Sequence, residues 1–196
     1  MNRRRLALLL PLVLLTACGY NTIQTLDEQA SAAQGLIEVQ LQRRADLVPN
    51  LVNTVKGFAN QELAVFGEVA RARSGLLGAV QSKDPEQMAS ANQTFNGALG
   101  RLMVVAEAYP QLKSDQGFLK LQDELTGTEN RIAVARADMN TAVQSYNSYI
   151  RRFPAVLTAK MTGAKERKYY AVSSPGSREA PTVDFGKPGA APTSKP

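Results

Sequence analysis

Residues 118–153 read FLKLQDELTGTENRIAVARADMNTAVQSYNSYIRRF, and one stripe runs through them: Phe118, Leu121, Leu125, Thr128, Ile132, Ala135, Met139, Ala142, Tyr146, Tyr149 and Phe153. The steps alternate between three and four and average about 3.5 residues, the spacing of one helix face packed along partner helices with left-handed supercoil. Thr128 is its polar member, placed for a register-setting contact in an otherwise dry seam. At about 1.5 Å per residue such a helix extends on the order of 54 Å. No other stretch is as long or as regular, so the preceding segments are expected to lie along it as shorter helices.

Three earlier segments carry helical periodicity. Residues 21–44 align Ile23, Leu26, Ala30, Ala33, Ile37 and Leu41, and residues 85–109 align Met88, Ala91, Phe95, Ala98, Leu102, Val105 and Tyr109. Between them, residues 46–80 turn Leu51, Val55, Phe58, Ala59, Leu63, Phe66, Ala70 and Leu77 inward. Pro49 would clash with the carbonyl of Ala45 inside a helix, and Asp46 is a good N-cap, so a break or sharp kink is expected over 43–50. With almost no loop residues there, one long kinked helix is the alternative to a tight reversal. Ser82 or Asp84 caps the third segment, with Pro85 in its first turn. Gly97 and Gly100 each lower that segment's helix propensity by up to ~1 kcal/mol, and close helix packing is the expected reason.

The expected fold is therefore an all-α, antiparallel up-and-down four-helix bundle, its last helix running over 115–153 to Pro154. Residues 155–170 are rich in Lys and Arg and are expected to form a short docked helix and hairpin. The Pro/Gly/Ser/Ala-rich stretch 171–196 lacks the apolar surface to offset ordering entropy and reads as a disordered tail.

The chain begins MNRRRLALLLPLVLLTAC: positive residues, an apolar run from Leu6 to Leu15, then small residues before Cys18. The run is about half of the ~20 apolar residues that span a bilayer, so residues 1–17 read as a signal peptide. Leu15-Thr16-Ala17-Cys18 resembles a lipobox, in which cleavage precedes the cysteine and its thiol carries diacylglycerol. Two or three acyl chains, each buried CH₂ contributing ~0.8 kcal/mol, make a stable anchor. Gly19 after the cysteine, by analogy with bacterial lipoproteins, points to the outer membrane facing the periplasm in a diderm organism. The mature helical domain is then 18–170, held close to the membrane.

Composition removes several function classes. The chain has no histidine, which excludes Ser-His-Asp and Cys-His sites and His-ligated zinc. Cys18 is the sole cysteine, so no disulfide forms within the chain. No phosphate-binding glycine loop is present, and Glu124 and Glu129, five apart, do not share a helix face. No cofactor and no catalytic residue are expected. Without Arg3, Arg4 and Arg5 the charge drops to 20 basic against 17 acidic residues, dispersed along helices, which argues against nucleic acid as a partner.

Two polar groups are candidates for interaction or structure. Arg43, Arg44, Asp46 and Asn50 are expected at the bundle end opposite the lipid, with Glu107, Tyr109 and Lys113, as caps and ion pairs or as a recognition surface. Glu129, Asn130 and Arg131 follow Thr128 within the long helix. Separately, Lys160, Lys165, Arg167 and Lys168 with Tyr169 and Tyr170 are candidates for contact with anionic lipid or cell-wall polymer.

These polar runs carry a resemblance. Arg43-Arg44-Ala45-Asp46-Leu47-Val48-Pro49-Asn50-Leu51-Val52, Val55-Lys56-Gly57-Phe58-Ala59, Glu107-Ala108-Tyr109-Pro110-Gln111-Leu112-Lys113, Thr128-Glu129-Asn130-Arg131-Ile132 and Tyr146-Asn147 resemble, in order and spacing, the signature of the LemA family over residues 20–170. Gln34, Gln61 and Met139 depart from it, standing where Trp, His and Tyr are common. The resemblance implies a membrane-anchored, extracytoplasmic helical bundle, and it implies no reaction. It is compatible with a scaffold for envelope protein partners.

Overall fold

The computed structural model describes residues 3–171, with side chains described from Gly19 onward; the tail expected over 171–196 lies outside them except for Ala171, as does the side chain of Cys18. The described residues form six helices: α1 Arg3–Phe58, α2 Leu63–Ser82, α3 Pro85–Glu107, α4 Pro110–Lys113, α5 Gln116–Ile150 and α6 Ala155–Thr162. No strand occurs among them, and the all-α expectation is met.

The expected break over 43–50 is absent. α1 runs through Pro49 as one helix of 56 residues, so the alternative of a single long helix is the correct one. Proline cannot donate to the carbonyl four residues back, which leaves the Ala45 oxygen without its helical partner. Arg73 on α2 supplies one, its Nε donating to that oxygen at 2.8 Å. A tertiary contact thus offsets the local defect. The chain reverses instead at 59–62, where Glu62 N–H donates to the Ala59 carbonyl at 3.3 Å. This shifts the inward register of the next helix. Phe66, Val69, Leu76 and Ala79 are buried, while Leu63, expected inside, is 72% exposed and Ala70 is also exposed.

Cross-contacts fix the direction of each helix. α2 runs antiparallel to α1, with Arg73 beside Ala45 and Gln34 donating to the Lys83 carbonyl. α3 returns along α2, with Arg101 paired to Glu68. Its start matches expectation: Asp84 caps it by accepting from Glu86 N–H at 2.9 Å, and Pro85 occupies the first turn. α5 runs antiparallel to α1, Arg131 donating to Gln40 at one level and Ile23 meeting Tyr146 and Ile150 further along. The core of this up-and-down bundle includes Ile37, Leu41, Leu51, Phe95, Leu102, Leu112, Ile132 and Met139.

The long stripe is buried as expected at Phe118, Leu125, Thr128, Ile132, Ala135, Met139 and Tyr146, with Leu121 half-buried; Val143 and Ile150 are buried in place of Ala142 and Tyr149, one position on, and Phe153 is 80% exposed. A strict seven-residue repeat drifts about 20° per heptad on a straight α-helix, so five heptads accumulate roughly one residue of rotation. α5 ends at Ile150, three residues before the expected boundary.

α1 and α5 are longer than α2 and α3. Beyond the α2–α3 turn they continue as a pair, covered by α6 and by an extended strap, residues 164–171. Gly163, at φ 71°, ends α6 in the left-handed conformation glycine adopts without strain and sends the strap back along the pair.

Candidate functional site

At mid-bundle a charge is buried. Arg44, on the inward face of α1, is 6% exposed. Its Nη1 donates to Asn92 Oδ1 on α3 at 3.1 Å and forms an ion pair with Glu129 on α5, while its guanidinium carbon lies 5.6 Å from the centre of the Phe95 ring. Asn96, one turn after Asn92, donates to Glu129 at 3.5 Å. Burial pulls the Arg44 pKa below its ordinary value, and the negative charge of Glu129 opposes the shift. Arginine nevertheless stays charged. The Tyr170 hydroxyl, brought to the same centre by the strap, is buried without a hydrogen-bond partner, and burial pushes its pKa up to about 12. A groove of about 390 Å³ between α3 and α5 opens onto this centre, lined by Arg44, Asn96, Leu99, Met103, Leu125 and Glu129 among others. The chemistry available is a charge-assisted clasp joining three helices.

The structure separates the cluster expected at one bundle end. Arg43, Arg44, Asp46 and Asn50 lie mid-rod on α1, because the helix does not stop at Pro49. Glu107, Tyr109 and Lys113 lie around α4, where the chain turns into α5. Arg43, Asp46 and Asn50 are exposed; Asp46 accepts from Gln42 at 3.1 Å and faces Arg73 at 3.7 Å. Of the named residues, Arg44 and Glu129 are brought into contact. Asn130 lines the groove, and Arg131 donates to Gln40 Oε1 at 3.1 Å. Thr128 is fully buried, but its hydroxyl donates to its own helix at the Leu125 carbonyl, 2.7 Å away. Asn92 and Asn96 were not singled out from the sequence; two amides one turn apart beside the Met88–Phe95 stripe were the available signal.

The basic segment is also divided. Arg167 forks onto Asp27 of α1 at 2.6 and 3.0 Å, and Lys168 reaches Asp84 at 2.7 Å and Glu86 at 3.4 Å. The Arg167 hydrogen bond is the main cause holding the Asp27 carboxyl below its usual range. Asn147 clasps Arg167 through both its N–H and its carbonyl, each at 2.9 Å, and Asn140 does the same for Tyr170 at 2.9 and 3.3 Å. Arg167, Lys168 and the buried Tyr170 are therefore engaged within the chain. Lys160 and Lys165 are exposed.

A second groove, about 590 Å³, lies along the outer side of α2 and α3, floored by Ala72, Gly75, Ala91, Gly97 and Ala98 and edged by Arg71, Arg101 and Glu68. Close packing within the chain does not explain its glycines. A Cβ added at Gly75 or Gly97 would meet nothing within 4 Å, and the same holds at Gly100, which lines the other groove.

Among the described residues no group of three or more His, Cys, Asp or Glu is placed to hold a metal ion, and no helix is long and apolar enough to cross a membrane. The family model described as the LemA family matches residues 33–185. Similar curated proteins include magnetosome proteins MamQ 1 and MamQ 2 of Paramagnetospirillum magneticum, each 30% identical over 77% of this chain, and magnetosome protein MamQ of Magnetospirillum gryphiswaldense, 29% identical over the same share. The chain spans 64% of the length of these relatives. Neither the family description nor the relatives' names carry an enzymatic activity.

Proposed function

The chain belongs to the LemA family, and we propose that it is a lipid-anchored envelope protein whose bundle is a non-enzymatic docking platform for protein partners. The observation that carries the platform reading is the outer α2–α3 groove. Its mid-helix glycines each cost helix stability of up to ~1 kcal/mol relative to alanine, and no contact within the described residues calls for them. A helix of a partner seated there approaches the backbone closely, which is the use glycine serves between helices.

The anchor reading draws on the leader and on Cys18, whose thioether-linked lipid holds the protein at the membrane, facing the periplasm from the outer membrane in a diderm cell. Residue 18 lies within α1, which continues to residue 58, so the platform is continuous with its anchor. The rival, binding of anionic membrane or cell-wall polymer through Lys160, Lys165, Arg167 and Lys168, has lost two of its four cations to ion pairs within the chain.

In-cell photocrosslinking tests the platform. A crosslinker at exposed Thr94, in the groove, should capture protein partners, and Gly97→Leu should abolish the adducts. Capture at Thr94 no greater than at exposed Lys120 on α5 contradicts it. Mass spectrometry of the mature N-terminus tests the anchor, where an unmodified first residue on a soluble protein contradicts it.

A further inference from the structure

The end of the molecule at the level of Gly19 carries apolar side chains that the fold leaves uncovered. α6 buries Ala155, Thr158 and Ala159 against the α1–α5 pair. Its opposite side presents Leu157, 52% exposed, and Met161, 82% exposed, and Phe153 just before the helix is 80% exposed. The spacing of four places Leu157 and Met161 on one face of α6, and Phe153 is exposed in the turn that leads into it. Met161 and Phe153 are the two most exposed large apolar side chains described, and all three fall within nine residues of each other. The level of α6 along the rod is fixed by Gly19, whose position for a Cβ lies 3.5 Å from Thr158 Oγ1. α6 therefore lies at the level of the residue that follows Cys18, with its exposed side turned away from α1. Exposed Arg152, Lys160 and Lys165 fall in the same stretch, while Arg151 pairs at 3.5 Å with Glu166, the one acidic residue between 151 and 168.

We propose that α6 is a membrane-surface helix that seats Phe153, Leu157 and Met161 among the acyl chains of an anionic phospholipid bilayer. An apolar face with a cationic border is the pattern of helices lying in the interface, where the face sinks about 5–10 Å below the headgroups. Arg152, Lys160 and Lys165 are complementary to those headgroups. These cations differ from Arg167 and Lys168 of the strap, which are paired to Asp27 and Asp84. The apolar run Leu6–Leu15 ends a few residues before Gly19, so a bilayer that takes up the leader or a lipid on Cys18 reaches α6 as well. This inference rests on the anchor reading. It adds a second contact that fixes the rod's tilt and rotation, which a lipid on a single residue leaves free.

The chain has no tryptophan, so single reporters are clean. Full-length Leu157→Trp is reconstituted into vesicles of phosphatidylcholine and phosphatidylglycerol containing brominated lipid, alongside Leu63→Trp at the far end of the rod. Bromine should quench the reporter at 157 at least about twofold more than the one at 63, as expected for a helix lying in the interface. Adding Met161→Asp, at a side chain the fold does not use, should abolish the difference while helical content stays unchanged. Protein that binds the vesicles but shows equal quenching at both positions, or quenching indifferent to Met161→Asp, overturns the role of α6 and leaves the anchor standing. Protein that does not bind at all overturns both.

Discussion

The rod has two sections built on different principles. Around Ile37, Leu41, Phe95 and Ile132, four helices enclose a core, and the polar centre ties α1, α3 and α5 together through buried Arg44. Around Ile23, Tyr146 and Ile150, two helices run alone, and two cannot cover each other's apolar faces. There the covering comes from α6 and the strap, pinned by Asn147, Asn140, Asp27 and Asp84. The first section is held by packing between periodic stripes. The second is held by side-chain amides and carboxylates that grip one extended backbone, so it is the section that opens first when its polar contacts are lost.

Substitutions grade this contrast. Ile132→Asp places an unpaired carboxylate in the four-helix core and should cost about 4 kcal/mol or more, whereas exposed Arg136→Ala should change little; equal thermal midpoints for the two would remove the distinction between core and surface on α5. Glu129→Ala leaves the buried Arg44 guanidinium without its counter-charge and should cost about 3 kcal/mol. Arg44→Met, which keeps volume and removes the charge, should cost less, and chemical denaturation of both variants gives the order.

The strap should yield more locally. Asn147→Ala removes two hydrogen bonds to Arg167 and should lower stability by about 1–2 kcal/mol, with faster hydrogen exchange at 164–171 and little change at α2 and α3. Alkaline pH should do the same through Tyr170. Its folded pKa of about 12 lies above the ordinary 10.0, so its contribution is complete below pH 10 and is lost as pH rises toward 12. Tyr170→Phe should flatten that dependence. Smallest is Gly97→Ala, which meets open space and should stabilise the four-helix section by up to about 1 kcal/mol. A destabilised variant would mean that the groove is already filled from within.

What was legible from the sequence follows the same divide. The stripes of α3 and α5, the cap at Asp84 and the all-α class come from local periodicity and local hydrogen bonding, which sequence displays directly. The path through Pro49 was not legible, because the partner of the Ala45 carbonyl is Arg73, 28 positions away. Nor was the strap, whose main ion pair joins Arg167 to Asp27 across 140 positions. Arg44 and Glu129 both stood out as polar residues in family-like runs, but the incorrect break over 43–50 displaced Arg44 to a bundle end. Arg167 and Lys168 read as part of a free basic patch because their acidic partners, Asp27, Asp84 and Glu86, lie far away in the sequence.

The most direct test of this account is the length of α1. Spin labels at exposed Gln24 and Asn53, in a Cys18→Ser background that leaves no other thiol, report whether the anchor side and the bundle belong to one helix. An unbroken α1 puts 29 residues between them, about 43 Å at 1.5 Å per residue. A distance near 25 Å, which a reversal at Asp46 would give, contradicts the continuous rod and the connection of platform to anchor that depends on it.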